Sequence, residues 1–220
     1  MLHPFLVFIV RRFTGHLTGN RFGAGAELIQ PADFNCPCTA LQIPHWAYRI
    51  IDTMLIFLDY DGVLHDYGST TQDLFRHALK FAAVLRDHAN VEVVVSSDWR
   101  KDAGSLAELV THFEVDVRHR FVGRTGIDSG VTQLRRRERE CWQWLCAHGR
   151  EHERWIAIDD SPDNFGQDLP GAGAVLFTDP GVGLDDDATV ILHAMLVEPR
   201  PATRFCYDRA SLHGWTLWCG

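Results

Sequence analysis

Residues 54–66, MLIFLDYDGVLHD, set a run of five apolar residues directly against two aspartates one residue apart, Asp59 and Asp61. So short and so uniformly apolar a run reads as a strand buried on both faces, the condition of a parallel sheet covered by helices on either side. In open parallel sheets the carboxyl ends of the strands face the ligand crevice. Gly62 follows at once and allows a tight turn that carries the chain away. A buried strand that ends in paired carboxylates therefore limits both the fold and the chemistry of the crevice.

The pattern continues regularly from there. Thr70 or Thr71 can cap a helix over 72–88, whose apolar residues Leu74, Phe75, Ala78, Leu79, Ala82 and Leu85 form one stripe, with Asn90 at its end. VEVVVS (91–96) reads as a second strand, rich in β-branched residues. A short helix follows at 105–112, then a weak strand near 120–122. The helix 134–149 turns Leu134, Cys141, Trp144 and Leu145 inward and stops at Gly149. WIAIDD (155–160) and AVLFT (174–178) are two further strands, and Asp185–Asp187 open a last helix through Val197. Strands alternating with helices over 54–198 predict an α/β fold, a three-layer Rossmann-like parallel sheet. Residues 199–220 carry little pattern and are left unassigned.

Residues 1–53 read differently. They are dense in Gly, Pro, Asn and Thr and hold no sustained period. Met54 stands immediately before the first strand, so translation is expected to begin there, with 1–53 an extension produced by an over-long gene model. The apolar segment MLHPFLVFIVRR is too short to span a bilayer, and its arginines follow the apolar run, the reverse of a secretory signal. No membrane role is expected. Cys36-Pro-Cys38 lacks a second pair at ligand spacing, and the six cysteines form no disulfide framework, which predicts reduced thiols in a cytoplasmic protein.

Four features fall at strand ends: Asp59 and Asp61; Ser96 and Ser97; the arginines that lead into the 134–149 helix; and Asp159 and Asp160. Clustered carboxylates repel one another unless a cation joins them, and hard oxygen ligands of this kind favour Mg²⁺. A carboxylate held against such an ion can attack phosphorus, while a serine hydroxyl and a guanidinium hold the other phosphoryl oxygens. Each feature has a plainer reading as well. A single aspartate after a strand is a common turn residue, the serines can simply end a strand, and a run of arginines is usually a solvated helix face. Trp99 either packs on the sheet or stacks on a base, and the twelve histidines show no ligand spacing.

FLDYDGVL, VVVSSDWR, the arginines before ECWQWL, and IAIDD resemble, in order, the four motifs of the haloacid dehalogenase (HAD) superfamily. The resemblance covers roughly 54–198. It implies that Asp59 is the nucleophile and a Mg²⁺ ligand, and that Asp61 is the general acid/base, with its backbone carbonyl also on the metal. Ser97 fits the second motif, Ser96 being the alternative. Arg137 stands for the basic third motif, with Arg139 close behind, where many relatives have lysine. Asp160 resembles the direct metal ligand of the fourth motif and Asp159 a supporting one, with Asp163 assisting. Gly62, Ser96 and Arg139 are expected to bind substrate. A second aspartate in D-x-D favours phosphate-ester hydrolysis.

Neither gap between motifs leaves room for a large cap domain, and an open site suits a large substrate. FLDYDGVLHD, the S-x-W motif and RERECWQWL look most like the capless HAD domains of Swiss Army Knife RNA repair proteins, which implies a phosphorylated substrate such as an RNA or DNA end. Seven arginines between Arg118 and Arg139, against only Asp128 and Glu138, form a local basic strip for a backbone phosphate on a chain of net charge −8. Two alternatives remain: a phosphatase of small metabolites or nucleotides, and an inactive module that keeps the fold.

Overall fold

Strand β1, Met54–Leu58, is an interior strand of a seven-stranded sheet and has parallel partners on both sides. A computed structural model describes residues 53–130 and 132–197, and the backbone of 203–207 and 215–218. Nearly all of the 1–53 extension, with Cys36-Pro-Cys38, and the rest of 199–220 lie outside the described residues.

In chain order the elements are β1; α1, Ala78–Asp87; β2, Val91–Val95; α2, Leu106–Leu109; β3, Phe121–Arg124; α3, Arg136–Ala147; β4, Arg154–Asp159; β5, Ala172–Phe177; α4, Asp186–Val197; β6, Thr203–Tyr207; and β7, Trp215–Trp218. The strand order is β3-β2-β1-β4-β5-β6-β7, and only β7 runs antiparallel, against β6. The chain leaves β1 towards β2 on one side and returns to β4 on the other. The crevice between the carboxyl ends of β1 and β4 is therefore the topological switch point.

Alternation along the strands builds two cores. Met54, Ile56 and Leu58 of β1 join Val93, Ile156 and Leu176 beneath α1 and α4, against Phe81, Leu85 and Leu192. Leu55 and Phe57 join Val94, Trp155 and Val175 on the opposite face, beneath Cys141, Trp144 and Leu145 of α3. Both faces of the sheet are thus covered, and the predicted three-layer architecture is present. No cap domain stands among the described residues.

Some local expectations need correction. The helix expected over 72–88 starts only at Ala78, because Phe75 adopts a left-handed φ of 60° and breaks the ladder. Thr70 makes no helix cap; its hydroxyl donates to Asp73 Oδ2 at 2.9 Å in a local turn. The inward stripe of α1 is Ala78, Phe81, Ala82 and Leu85, while Leu79 is 65% exposed. Leu134 is likewise exposed, lying before α3 begins. Gly149, with φ of 64°, ends α3 as expected. In the unassigned C-terminal segment, β6 pairs in parallel with β5 and extends the sheet.

Two features give stability tests. A Cβ on Gly173 would meet Cζ2 of the fully buried Trp155 at 2.3 Å, and that ring packs edge-on against Phe57. Gly173→Ala is expected to cost about 2–3 kcal/mol in equilibrium urea unfolding. His88 Nε2 lies 2.8 Å from His193 Nδ1, tying the end of α1 to α4. Burial first, then the neighbouring His193, holds the pKa of His88 below its ordinary value. The folded state then disfavours the proton, so this contribution is intact above about pH 6.5 and lost as pH falls below it. Stability should decline from about pH 7.5 to about pH 5.5, and His88→Gln should flatten that decline.

Candidate active site

Asp59 is the first residue past β1, and its N–H donates to Ile158 O of β4 at 3.0 Å, which seats it at the switch point. Asp159 and Asp160 close the neighbouring strand. Carboxylate oxygens of Asp59, Asp159 and Asp160 all lie within 4.8 Å of one another. Asp159 is fully buried; its Oδ1 accepts Ser161 N–H at 2.9 Å and Asn164 Nδ2 at 3.0 Å. Its Oδ2 has no hydrogen-bond partner. Burial, then the charge of Asp59, pushes the carboxyl of Asp159 well above the carboxylate range, and the same two causes lift Asp160 to about 6. A buried carboxylate oxygen without a hydrogen bond, beside two further carboxylates, fits a divalent cation.

Gly62 makes this approach possible. Its φ is +69°, and a Cβ there would stand 2.3 Å from Asp160 Oδ2. Its carbonyl accepts the buried Thr178 hydroxyl at 2.7 Å, which anchors the turn from the end of β5. Among the described residues, Gly62 is thus fixed by backbone, contact and hydrogen bond together.

Arg137, in the first turn of α3, is 3% exposed. Its Nη2 lies 3.4 Å from Asp59 Oδ2 and its Nε 3.4 Å from Asp159 Oδ2. Burial works against its charge, but Asp59, Asp159, Glu140 and Asp98 outweigh that and raise its pKa. The guanidinium is a permanent cation at the floor of the site.

Asp61 stands apart. The strand-end carboxylates Asp59, Asp61, Asp159 and Asp160 are expected to cluster, yet the side chains of Asp59, Asp159 and Asp160 gather without that of Asp61. The carboxylate of Asp61 is held elsewhere, Oδ1 at 3.0 Å from His65 Nε2 and Oδ2 accepting Trp99 Nε1–H at 3.0 Å. The His65 hydrogen bond is the first cause that lowers its pKa.

Ser96 and Ser97 are buried behind β2. The Ser97 hydroxyl caps the 3₁₀ turn 98–101 by accepting Trp99 N–H at 3.5 Å. Arg100 Nη1 donates to both of their carbonyls, at 2.5 and 2.6 Å, and Nη2 to Glu140 Oε2 at 2.5 Å. Glu140 also lies 3.5 Å from Arg137 Nη1, so it joins the serine loop to the site's cation.

Arg139 is not at the site. It donates to Asp128 Oδ2 at 2.7 Å and to the carbonyls of Leu134 and Thr132, bracing the loop before α3. An i+2 spacing from Arg137 on a helix sends the two side chains to different faces. The rest of the strip is also engaged internally. Arg118, Arg120 and Arg124 donate to backbone carbonyls, Arg135 pairs with Glu138, and Arg136 pairs with Asp98. Asp163 is exposed, and its neighbour Asn164 supports Asp159 instead. Sequence reasoning missed His65, Arg100, Glu140 and Thr178; the signal available for the first was its i+4 spacing from Asp61.

Removing one of the repelling charges should stabilise the metal-free protein. Asp160→Asn is expected to raise its unfolding free energy at neutral pH by about 1–2 kcal/mol. A divalent ion is expected to raise the melting temperature of the wild type, and the same substitution should abolish that rise.

A family model described as the HAD domain in Swiss Army Knife RNA repair proteins matches residues 55–189. No curated protein matches the chain. One solved crystal structure, 17% identical, covers 66% of this chain and 80% of its own at a TM-score of 0.36, too distant to bear on the site. The family match spans more than half of the chain, from β1 into α4 and through every residue of the carboxylate cleft: the chain belongs to the HAD domains of Swiss Army Knife RNA repair proteins.

Proposed function

We propose that this protein is a Mg²⁺-dependent phosphatase that cleaves a phosphate monoester through an aspartyl phosphate on Asp59, and that its substrate is the phosphorylated end of a polynucleotide. The coarser part of this reading, a HAD-type phosphatase, follows from the family. The observation that carries the rest is the carboxylate trio with Arg137 wedged against two of its members and Asp61 held separately beside it.

Asp59, Asp159 and Asp160 would hold the ion. Bound there, Mg²⁺ would neutralise the trio and draw charge from the phosphoryl oxygens. A carboxylate oxygen of Asp59 forms a bond to phosphorus as the bond to the leaving alcohol breaks. An approaching phosphate dianion opposes the charge of Asp61 and favours its protonated form. Asp61 then protonates the leaving oxygen and, as carboxylate, takes a proton from the water that releases phosphate from Asp59. The Ser97 hydroxyl, the backbone N–H of Gly62 and the fixed charge of Arg137 hold the remaining oxygens.

The lack of a cap domain among the described residues and the family's link to RNA repair favour a nucleic-acid end. With its arginines engaged internally, the protein should grip the terminal phosphate and little of the backbone beyond it.

Rates of wild type and Asp59→Asn with p-nitrophenyl phosphate, with Mg²⁺ and with chelator, test the chemistry. The variant should lose roughly 1,000-fold or more, and the chelator should act likewise. Equal rates, or none in either protein, would leave an inactive binding module. Oligonucleotides with 3′- or 5′-phosphates should be preferred over nucleotides and sugar phosphates; the opposite order selects the small-metabolite reading.

A further inference from the structure

His65 is 1% exposed and sits four residues after Asp61. Its Nε2 meets Asp61 Oδ1 at 3.0 Å, while Trp99 Nε1 covers Oδ2 at the same distance. One donor on each oxygen fixes the carboxylate's rotamer. The other ring nitrogen of His65, Nδ1, faces the Phe75 N–H at 3.4 Å. A backbone N–H can only donate, so Nδ1 carries the lone pair and Nε2 the hydrogen.

That N–H is available because of strain. Phe75 holds a left-handed φ of 60°, a conformation that non-glycine residues rarely adopt. Its ring offsets the cost by packing: it stacks on His112 at 3.6 Å, and the rings of Tyr60, His65 and Trp99 stand edge-on to it at 5.1–5.3 Å. In a regular helix from Thr71, the same N–H would belong to the helix ladder. Strained backbone of this kind concentrates where a site over-determines it.

We propose that His65 is a positioning residue for Asp61: kept as the Nε2–H tautomer by the strained Phe75 turn, it aims the Asp61 carboxylate at the leaving oxygen and keeps it out of the Asp59–Asp159–Asp160 cluster. The inference rests on the proton-transfer role given to Asp61 above. It extends that role to two residues that touch neither the reacting phosphorus nor the cation.

A donor that orients a general acid matters in proportion to how much the leaving group needs a proton. The nitrophenolate of p-nitrophenyl phosphate leaves readily without one, whereas an alkoxide does not. A histidine that only fills space beside Phe75 would slow both reactions alike.

The test compares kcat on p-nitrophenyl phosphate and on an alkyl phosphate for wild type, His65→Leu, His65→Gln and Trp99→Phe. His65→Leu is expected to lose roughly 10- to 100-fold on the alkyl ester and less than about threefold on the aryl ester, with KM little changed. His65→Gln, whose amide can donate to Asp61, should recover most of the loss. Trp99→Phe keeps the aromatic wall and should show the same selective loss, which covers the case where His65→Leu folds poorly. In parallel, ¹⁵N NMR of histidine-labelled protein should report an unprotonated Nδ1 at His65 without reference to activity. Equal losses on both esters, or an Nδ1–H tautomer, overturn the role of His65. A wild type that cleaves neither ester while His65 shows the Nε2–H tautomer overturns the phosphatase reading, and with it the purpose given to the pair.

Discussion

A guanidinium almost wholly withdrawn from water, faced by the carboxylates of Asp59, Asp159, Glu140 and Asp98, is the interaction on which the rest of the cleft depends. Burying such a charge alone would be prohibitive, and Arg137 is tolerable only because those acids surround it. The converse holds as well. Asp59 and Asp159 can sit side by side at adjacent strand ends because Arg137 lies within 3.4 Å of each. In the cleft, the carboxylates of Asp59, Asp159, Asp160 and Glu140 face the two guanidiniums of Arg137 and Arg100. The carboxylates here outnumber the guanidiniums, and a divalent cation among Asp59, Asp159 and Asp160 would offset that excess.

Strain marks both approaches to this arrangement. Among the described residues, Phe75 and Arg135 are the non-glycine positions with left-handed backbone. Arg135 immediately precedes α3, and its N–H donates to Asp163 O at 2.8 Å, so the helix starts where its first turn delivers Arg137 to Asp59. Phe75 delays α1 and orders the wall beside Asp61. Each deviation costs of order 1 kcal/mol or more, and each lies next to a side chain whose aim the chemistry needs.

How much of this was legible in the sequence follows from how local each signal is. β1, β4 and β5 were readable because continuous apolar runs have few uses other than a doubly covered strand, and the aspartates at their ends then fell at the switch point. Arg137 was readable from its place in a motif. Arg139 was not separable from it by composition, because only the helix's rotation distinguishes them. The late start of α1 was invisible, since 72–77 has ordinary helical character and the competing pull comes from aromatic contacts distant in sequence. β6 and β7 are short strands whose pairing lies in the sheet edge they extend. His65 stands at no metal-ligand spacing; its partner is the Asp61 carboxylate four residues earlier, a pairing that a lone histidine does not announce. The arginine strip misled most: its charge is real, but nearly every guanidinium answers a carbonyl or acid of its own chain.

Glu140 joins the two halves of the cleft, bonded to Arg100 behind the serine loop and lying against Arg137 at the floor. Neutralising it alone would leave the buried Arg100 and Arg137 without the acid between them, and losing Arg137 would leave Asp59 and Asp159 without their shared cation. The three positions can therefore drift only in concert during evolution, so divergence among descendants of this chain should appear there as correlated triplets rather than as isolated replacements.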